Sequence, residues 1–354
     1  TGRCNQHCRY CFYAEQMQTG PDLPTAAWLA FFGQLGSLGV RSVCLSGGEV
    51  FVRPDIWELI DAVIDNRMRY TLLTNGSLIT EETVDRLSRG RYRVRLDSIQ
   101  VSLDGSRAEI HDACRGAGSF EGAVRGLRLL REAGLPVTSR VTINRYNVGD
   151  LEAAAALLLD DIGLRGFGTN GVVPLGACHR QAQVTLRPRE EWQAMRALVG
   201  LSRCYPDRIQ ATAGPLARWR GYQRMERARA EGKPEPGMGY LTACGCFTSK
   251  LAVHHDGVIT PCNMLSRYEI GTIQTTPICA IWGKHPLLRE LAARRSVRVD
   301  QTPGCGDCEW APYCNGSCPA LPVDRHGDLH RTSSQDCYRR FINEVGRVTE
   351  LSID

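Results

Sequence analysis

Cys4-Asn-Gln-His-Cys8-Arg-Tyr-Cys11 places three cysteines at the spacing C-x3-C-x2-C. Short spacings of this kind allow a single loop to wrap a soft metal centre with thiolate ligands. Three ligands would leave one position of a four-metal cluster, or of a catalytic zinc site, open to a molecule other than protein. A fourth cysteine from elsewhere would instead complete a closed structural site. The spacing alone leaves both alternatives open.

Sixteen of the 354 residues are cysteines. Secreted proteins use so many thiols as disulfides, but such scaffolds are usually short and lack a large core. This chain is 43% hydrophobic and 23% charged, which is typical of an ordinary globular protein of one or two domains. We therefore expect a cytoplasmic protein whose cysteines bind metal rather than form disulfides.

The composition also argues against two classes of partner. The sequence contains no run of eighteen apolar residues and no signal peptide, so it predicts no membrane span. The formal net charge is +5, only 7% of the residues are aromatic, and no basic stripe is interleaved with aromatic residues. Nucleic-acid-binding surfaces usually show such a stripe. We expect neither membrane nor nucleic acid as a partner.

Short apolar runs alternate with amphipathic stretches over residues 1–205. This alternation predicts an α/β fold with a parallel sheet and helical crossovers. Counting the residues before Cys4 as the end of a first strand, six strands would form a partial (β/α)6 barrel, with its chemistry at the carboxyl ends of the strands. The other predicted strands are Ser42–Leu45, Tyr70–Leu73, Ser98–Leu103, Val137–Ile143 and Gly166–Val173. The predicted helices are Thr25–Leu38, Pro54–Asn66, Thr80–Ser88, Ser119–Ala133, Leu151–Asp160 and Arg189–Arg203.

The character of the sequence changes after residue 205. Residues 206–242 are polar and predict a bridging segment, part helix and part loop. Residues 243–340 have little apolar periodicity but hold nine cysteines, which predicts a small irregular domain stabilised by metal. Residues 341–354 belong to a predicted C-terminal helix, whose amphipathic pattern extends over roughly Tyr338–Glu350.

The first cysteine loop resembles the cluster-binding loop of the radical S-adenosylmethionine (radical SAM) superfamily, including the aromatic Tyr10 before the third cysteine. Ser46-Gly47-Gly48-Glu49 follows the next predicted strand and resembles that family's GGE motif. The resemblance implies that Cys4, Cys8 and Cys11 bind a four-iron, four-sulfur (4Fe-4S) cluster. It also implies that SAM binds the open iron, with its methionine amino group held by the segment from Ser46 to Glu49.

Two further segments are similar to the same family. Ser102-Leu-Asp-Gly, followed by Arg115, matches a region that contacts the SAM carboxylate and ribose. Ser102 and Arg115 take those roles by resemblance, and a planar guanidinium suits a carboxylate. The alternative for Arg115 is a salt bridge between a loop and a helix. Thr74-Asn75-Gly76 also matches in position, although Asn-Gly is an ordinary turn signal.

The cysteines near the end of the chain resemble the SPASM domain, which carries two auxiliary iron–sulfur clusters in one branch of the family. The resemblance implies two sets of four ligands, with Cys244 the least certain of the eight. The spacings alone would also suit two zinc sites of four cysteines each. The first set comprises Cys244, Cys246, Cys262 and Cys318, and the second comprises Cys305, Cys308, Cys314 and Cys337.

These resemblances imply three 4Fe-4S clusters and SAM as cofactors, and an oxidoreductase that uses a 5′-deoxyadenosyl radical to abstract hydrogen. SPASM enzymes commonly modify peptides. The leading hypothesis is therefore a maturase that oxidises or cross-links residues of a ribosomally synthesised peptide, with an electron donor such as flavodoxin or ferredoxin. A leader peptide would be recognised by a separate protein, by the outer face of the barrel or by residues preceding Thr1.

Other functions remain open at this point. One is a radical SAM dehydrogenase or rearrangement enzyme that acts on a small molecule or a cofactor precursor; another is a non-catalytic iron–sulfur electron carrier. Asn263 follows Cys262 where sulfatase-maturating relatives have an aspartate base, which weakens a formylglycine-forming function. Cys178 follows the last predicted strand and is a candidate substrate-facing residue, the alternative being an ordinary loop thiol.

Overall fold

The computed structural model describes residues 1–242, 244–246 and 248–349 and divides the chain into two compact units. We call them the barrel unit and the cysteine-rich unit. The barrel unit comprises Thr1–Leu186, Gln193–Pro215 and His254–Gly257, and the cysteine-rich unit comprises Arg187–Trp192, Leu216–Val253 and Val258–Asp354.

The barrel unit is built on a six-stranded parallel sheet in which each strand pairs with the next one along the chain. Helices form the connections between successive strands, as the alternating pattern predicts. The predicted α/β fold with a partial barrel is therefore confirmed. The strands are β1 Ser42–Leu45, β2 Arg69–Thr74, β3 Leu96–Ser102, β4 Val137–Ile143, β5 Phe167–Gly171 and β6 Ile209–Ala211.

The first and last strands differ from the prediction. Residues 1–3 are not a strand; two hydrogen bonds, Gly48 N to Thr1 O at 2.8 Å and Glu49 N to Arg3 O at 2.9 Å, tie them to an irregular segment instead. The sixth strand is β6, which pairs with β5 and lies in the segment predicted to be a bridge of helix and loop. A three-residue strand is too short to produce the alternation from which strands are predicted.

The predicted helices of the barrel unit are all present, with ends that differ by a few residues. The prediction missed α4 and α5, which have only six and eight residues. The helices up to the end of the predicted bridge are α1 Thr25–Ser37, α2 Ile56–Asp65, α3 Glu81–Leu87, α4 Gly90–Arg95, α5 Ala108–Arg115, α6 Ser119–Glu132, α7 Leu151–Ala156, α8 Pro188–Cys204 and α9 Pro215–Ala230.

The two faces of the sheet differ in polarity. Side chains alternate between faces along a strand, and burial follows that period of two in β3 and β4. One face is apolar and buried, as at Ile99 and Val141. The other is only partly buried and polar, and it carries Gln100, Ser102 and Arg140. A polar strand face is unusual for a parallel sheet and marks the surface on which a ligand can bind.

The cysteine-rich unit has little regular structure, as predicted. Its antiparallel sheet is small and has three strands. A cluster of aromatic side chains packs elsewhere in the unit: the ring of Tyr338 stacks on Tyr222 with a centroid distance of 4.3 Å and meets Trp310 edge-on at 4.8 Å. Its strands are β7 Ala252–Val253, β8 Val258–Thr260 and β9 Gly271–Thr272, and its later helices are α10 Ile278–Ile281, α11 Pro286–Ala293, α12 Ala320–His326 and α13 Tyr338–Glu344.

The last helix is shorter than the prediction of an element reaching Glu350. It ends at Glu344, and Gly346 has a φ of 121°, a backbone conformation outside the helical range. The part of the prediction that falls on residues 350–354 lies outside the described residues. Within the described ranges, no helix has both the length and the apolar character needed to cross a membrane.

Candidate active site

The loop that carries Cys4, Cys8 and Cys11 brings the three thiols close enough to influence one another. Burial raises the pKa of all three, and that of Cys11 reaches about 11, with the charges of Cys8 and Cys4 adding to the effect of burial. A site that raises thiol pKa values forms thiolates only when cationic charge is supplied, as iron does on binding. A donor set of thiolates alone fits an iron–sulfur cluster.

Gly47 and Gly48 admit the chain segment that leads into this loop. A Cβ atom on Gly48 would lie 2.7 Å from the Cβ of Cys4, and one on Gly47 would lie 2.7 Å from the Thr1 nitrogen. Gly47 also has a φ of 144°, which side chains rarely tolerate. The resemblance implies that SAM binds at these glycines; in the structure they also let residues 1–4 approach the motif itself.

Glu49 is fully buried at the carboxyl end of the sheet. Its carboxylate accepts hydrogen bonds from Thr74 Oγ1 and Asn75 N, both at 2.7 Å, and from Phe51 N at 3.2 Å. Burial raises the pKa of Glu49, and these hydrogen bonds act in the opposite direction. A carboxylate offers about four acceptor positions. Three are used here, so one remains for an ammonium group, in keeping with the predicted role of Glu49.

The Thr74-Asn75-Gly76 segment contributes more than a turn. Besides binding Glu49, Asn75 donates its Nδ2 to Asn5 Oδ1 at 2.8 Å, and Asn5 donates to Ser77 Oγ at 2.9 Å. The end of β2 is therefore bonded both to the acidic residue of the GGE motif and to the cysteine loop. Asn-Gly occurs in many turns, so the sequence of this segment alone is a weak signal for a site.

Arg115 forms a buried ion pair with Asp104. Its Nε lies 2.6 Å from Asp104 Oδ2, and the hydroxyl of Tyr10 donates to the same carboxylate oxygen. Arg115 Nη1 also lies 4.0 Å from Cys8 Sγ. The salt bridge between loop and helix, left open as the alternative for Arg115, is thus present. Its predicted contact with SAM stays a prediction.

Asp104 was missed as a site residue. It is fully buried, and in addition to Arg115 and Tyr10 it accepts a hydrogen bond from Thr142 N at 2.8 Å. Its own backbone nitrogen donates to His111 Nδ1 at 3.0 Å, and burial lowers the pKa of His111 to about 4. The available signal was an acidic residue just past the end of a strand, where α/β folds place functional groups.

Ser46 and Ser102 are partly buried. Ser46 directly follows β1, and Ser102 ends β3. The carbonyl of Ser46 accepts a long hydrogen bond, at 3.5 Å, from the Thr1 ammonium group. Ser102 is the last residue of β3 and lies opposite Arg140 in the parallel register. Both therefore lie at the carboxyl edge of the sheet, where the sequence predicts SAM contacts.

Cys178 is 1% exposed and packs in an apolar cluster with Cys114, Val172 and Val184, against which Tyr10 also packs. Burial raises the pKa of its thiol to about 11. The position of Cys178 gives no support to a substrate-facing role, which stays a prediction. Its segment does support the cysteine loop, because Ala177 N donates to Cys11 O at 3.0 Å.

The first predicted ligand set of the cysteine-rich unit is brought together. Burial raises the pKa of Cys246 to about 12, and the next contributions come from the charges of Cys262, Cys244 and Cys318. Burial likewise raises the pKa of Cys318 to about 11, with Cys262 and Cys244 among its neighbours. Cys244, the least certain ligand on sequence grounds, therefore lies with the other three.

The second predicted set forms a separate group. Burial raises the pKa of Cys314 to about 11, followed by the charges of Cys337, Cys305 and Cys308. In the part of the chain that the structure describes, no three His, Cys, Asp or Glu side chains converge tightly enough to hold one metal ion. Zinc needs all its ligands about 2.3 Å from one ion, whereas the cysteines of a 4Fe-4S cluster bind different irons. A set of four thiols is a donor set that a 4Fe-4S cluster takes.

Arg294 places a buried guanidinium beside the first set. It is fully buried, and it donates Nε to Thr242 O at 2.6 Å and Nη2 to Arg331 O at 3.1 Å. Its Nη1 has no hydrogen-bond partner among the described residues, and the charges of Cys318 and Cys246 act on the side chain. Because a buried donor without a partner is costly, this nitrogen fits a site that receives a sulfur acceptor from a bound cluster.

Two protein-family models match the chain. The radical SAM superfamily model matches residues 1–158, and the iron-sulfur cluster-binding domain SPASM matches residues 244–309. The chain belongs to the radical SAM superfamily and carries a C-terminal SPASM domain. It is therefore an enzyme that uses SAM and iron–sulfur clusters, and the alternative of a non-catalytic electron carrier is set aside.

The chain resembles curated relatives over most of its length. It is 27% identical over 338 residues to the AdoMet-dependent heme synthase of Nitratidesulfovibrio vulgaris, covering 93% of this chain and 88% of the relative. It is 29% identical over 334 residues to the mycofactocin maturase MftC of Mycobacterium ulcerans, covering 92% of this chain and 84% of the relative. One of these relatives is named as a synthase and the other as a maturase.

Two solved structures share the fold. The structure of native anSMEcpe with bound AdoMet superimposes with a TM-score of 0.71 at 18% identity, covering 99% of this chain and 96% of that one. Streptococcus suis SuiB bound to the precursor peptide SuiA gives a TM-score of 0.70 at 16% identity, covering 95% and 74%. At these identities the likeness concerns the fold.

Proposed function

We propose that this radical SAM enzyme oxidatively modifies or cross-links residues of a ribosomally synthesised peptide. The oxidative reaction rests on the separation of eight thiols into two groups of four, in addition to the three-thiol loop of the barrel unit, and the peptide substrate rests on the likeness to a maturase. Two auxiliary clusters could accept electrons from a substrate or relay them to a partner. The similarity to mycofactocin maturase MftC over 92% of the chain supports a peptide substrate.

The barrel residues have distinct roles in this proposal. Cys4, Cys8 and Cys11 would hold one 4Fe-4S cluster, which, with SAM bound, supplies an electron and a radical able to abstract hydrogen. Glu49 would accept a hydrogen bond from the SAM ammonium group through its remaining acceptor position. Arg115 would keep a positive charge beside Cys8, which favours its thiolate, while Asp104 holds Arg115 in place and its own charge acts in the opposite direction.

The cysteine-rich unit would hold the other two clusters, giving three in all. The protein environment of an iron–sulfur cluster sets its reduction potential within a range of roughly −700 to +450 mV. A buried cation near the first set, Arg294, would stabilise added negative charge there and so favour electron acceptance. An external donor such as flavodoxin or ferredoxin would reduce the cluster of the barrel unit.

A second candidate substrate class is a small molecule or cofactor precursor. The similarity to AdoMet-dependent heme synthase favours it, since that relative matches 93% of this chain. A third relative, the Fe-coproporphyrin III synthase of Methanosarcina barkeri, is 28% identical over 90% of the chain. Both candidate functions use the same thiol groups. They differ only in the substrate, so an experiment that identifies the substrate distinguishes them.

The test uses the anaerobically reconstituted enzyme with SAM and a reductant. One arm contains a small peptide encoded beside the gene, and the other contains iron-coproporphyrin III. The proposal expects a mass change in the peptide that depends on SAM, together with 5′-deoxyadenosine in excess of a peptide-free control. A Cys8→Ala variant should abolish both. Modification of the porphyrin and not of the peptide would contradict the proposal and favour the second candidate.

A further inference from the structure

Arg140 is a charged residue on the polar face of the barrel sheet, near its carboxyl edge. It lies in the middle of β4, opposite Ser102 of β3 and Gly168 of β5 in the parallel register. It is partly buried, on the face of the sheet that also carries Gln100 and Ser102. The position is within one strand of Ser102, a residue at which the sequence predicts a SAM contact.

The hydrogen-bond partners of Arg140 are neutral. Its Nε donates to Gln100 Oε1 and its Nη1 donates to Asn170 Oδ1, both at 3.0 Å. Within the described residues no carboxylate lies at ion-pair distance from this side chain, in contrast to Arg115 with Asp104. Burial lowers the pKa of Arg140, with no charged neighbour contributing. A partly buried positive charge with neutral partners is costly and is usually retained for a ligand.

Gly168 makes room for this arrangement. A Cβ atom at that position would lie 3.0 Å from both Cζ and Nη1 of Arg140. The guanidinium therefore lies close to the backbone of β5, with amide side chains from the two neighbouring strands fixing its direction. Arginine presents a planar fork that pairs with a carboxylate through two parallel hydrogen bonds, and two amides orient that fork here.

We propose that Arg140, oriented by Gln100 and Asn170, binds a carboxylate group of the substrate on the polar face of the sheet. A carboxylate matches the site better than a phosphate because the site offers one positive charge and otherwise neutral groups. The inference deepens the proposed function, since it names a chemical group of the substrate held next to the predicted SAM position. A peptide would provide this group as its terminus or as an acidic side chain.

SAM also carries a carboxylate, so the experiment has to separate the two sources. Phenylglyoxal modifies accessible arginines, and peptide mass spectrometry measures the modification of Arg140 in the anaerobic holoenzyme. Exposed Arg67 is the internal reference. The additions are propionate, propionamide, chloride at matched ionic strength, and SAM. Propionate should slow modification of Arg140 about twofold at half-saturation without affecting Arg67, while the other three should not.

Two outcomes of this footprint would overturn the inference. One is equal modification of Arg140 with propionate and with propionamide; the other is protection by SAM alone. Neither outcome depends on modification of a peptide. The experiment can therefore refute the carboxylate site without refuting the peptide substrate, and the reverse. If the peptide is not a substrate but propionate protects Arg140, the carboxylate site stands and the peptide proposal falls.

Variants extend the test to substrate binding. Arg140→Gln should raise the KM for a carboxylate-bearing substrate about 10- to 100-fold, and Arg140→Lys should restore only part of the loss because it lacks the planar fork. Gln100→Glu should imitate Arg140→Gln, since the new carboxylate would occupy the guanidinium. Arg69→Gln is the matched control, because Arg69 lies on β2 and pairs with exposed Asp97. A KM unchanged in both Arg140→Gln and Gln100→Glu would contradict the inference.

Discussion

Nε of Arg115 lies 2.6 Å from Oδ2 of Asp104, and both side chains are buried next to the cysteine loop. The same carboxylate accepts a hydrogen bond from Tyr10, which directly precedes Cys11. One buried acid therefore links the loop that holds the cluster ligands, the end of β3 and the last residue of α5. Asp104 therefore holds three segments of the site together.

Asp104→Ala should destabilise the barrel unit. Removing one partner of a buried ion pair leaves the other charge uncompensated, which typically costs about 3–5 kcal/mol. We expect a clearly lower midpoint in anaerobic thermal unfolding followed by circular dichroism. Asp97→Ala, which removes the exposed partner of Arg69, is the matched control and should change the midpoint little. Equal midpoints for the two variants would contradict the assigned role of Asp104.

Glu49→Gln should weaken SAM binding while leaving cluster content unchanged. Glutamine keeps one acceptor oxygen, which can accept from Thr74 or from Asn75 N but not from both, because these two groups donate to different oxygens of Glu49. It also loses the charge-assisted bond to an ammonium group, so we expect affinity to fall about 10- to 100-fold. Equilibrium dialysis with labelled SAM and an iron assay measure the two quantities. Glu58→Gln, on the exposed side of α2, is the control. Wild-type affinity in Glu49→Gln would refute the predicted SAM contact.

Gly48→Ala should reduce iron incorporation into the barrel unit. The added methyl group would lie 2.7 Å from the Cβ of Cys4, so the segment entering the cysteine loop would have to move. Iron per chain after anaerobic reconstitution is the measurement. Gly33→Ala is the matched control, because a Cβ at this position of α1 meets nothing within 4 Å and alanine favours a helix. Full iron content in Gly48→Ala would show that this close approach is dispensable.

Cys178→Ala should retain SAM cleavage. The thiol is 1% exposed within an apolar cluster, so its loss should act on stability, at a cost of about 1 kcal/mol for a small cavity, and not on chemistry. Formation of 5′-deoxyadenosine and the unfolding midpoint are measured on the same preparation. Complete loss of 5′-deoxyadenosine in a folded, iron-loaded protein would instead support Cys178 as a catalytic residue.

Much of the fold follows from local pattern. Five of the strands and the long helices were predicted because apolar residues repeat with a clear period of two or 3.6. The strand Ile209–Ala211 was missed because three residues are too few to show a period, and the eight-residue helix α5 was missed as well. Their formation depends on pairing with β5 and on packing in the barrel unit, which are interactions between residues distant in sequence.

Cysteines and glycines at characteristic spacings indicate candidate site residues in the sequence. Other residues of the candidate site carry no such pattern. The grouping of Cys246 with Cys262, Cys244 and Cys318 agrees with the ligand set that the resemblance implies. Asp104 and Arg140 carry no comparable local signal. Asp104 depends on an ion pair with Arg115, and Arg140 is distinguished only by the neutral partners that neighbouring strands provide.

The central claim is that the thiols of the first loop bind the cluster at which SAM is cleaved. The most direct test is anaerobic formation of 5′-deoxyadenosine from SAM by wild-type protein and by Cys8→Ala, with iron measured in both. We predict 5′-deoxyadenosine and about twelve irons per chain for the wild type, and no 5′-deoxyadenosine and about eight irons for the variant. A Cys8→Ala protein that still cleaves SAM would contradict the account.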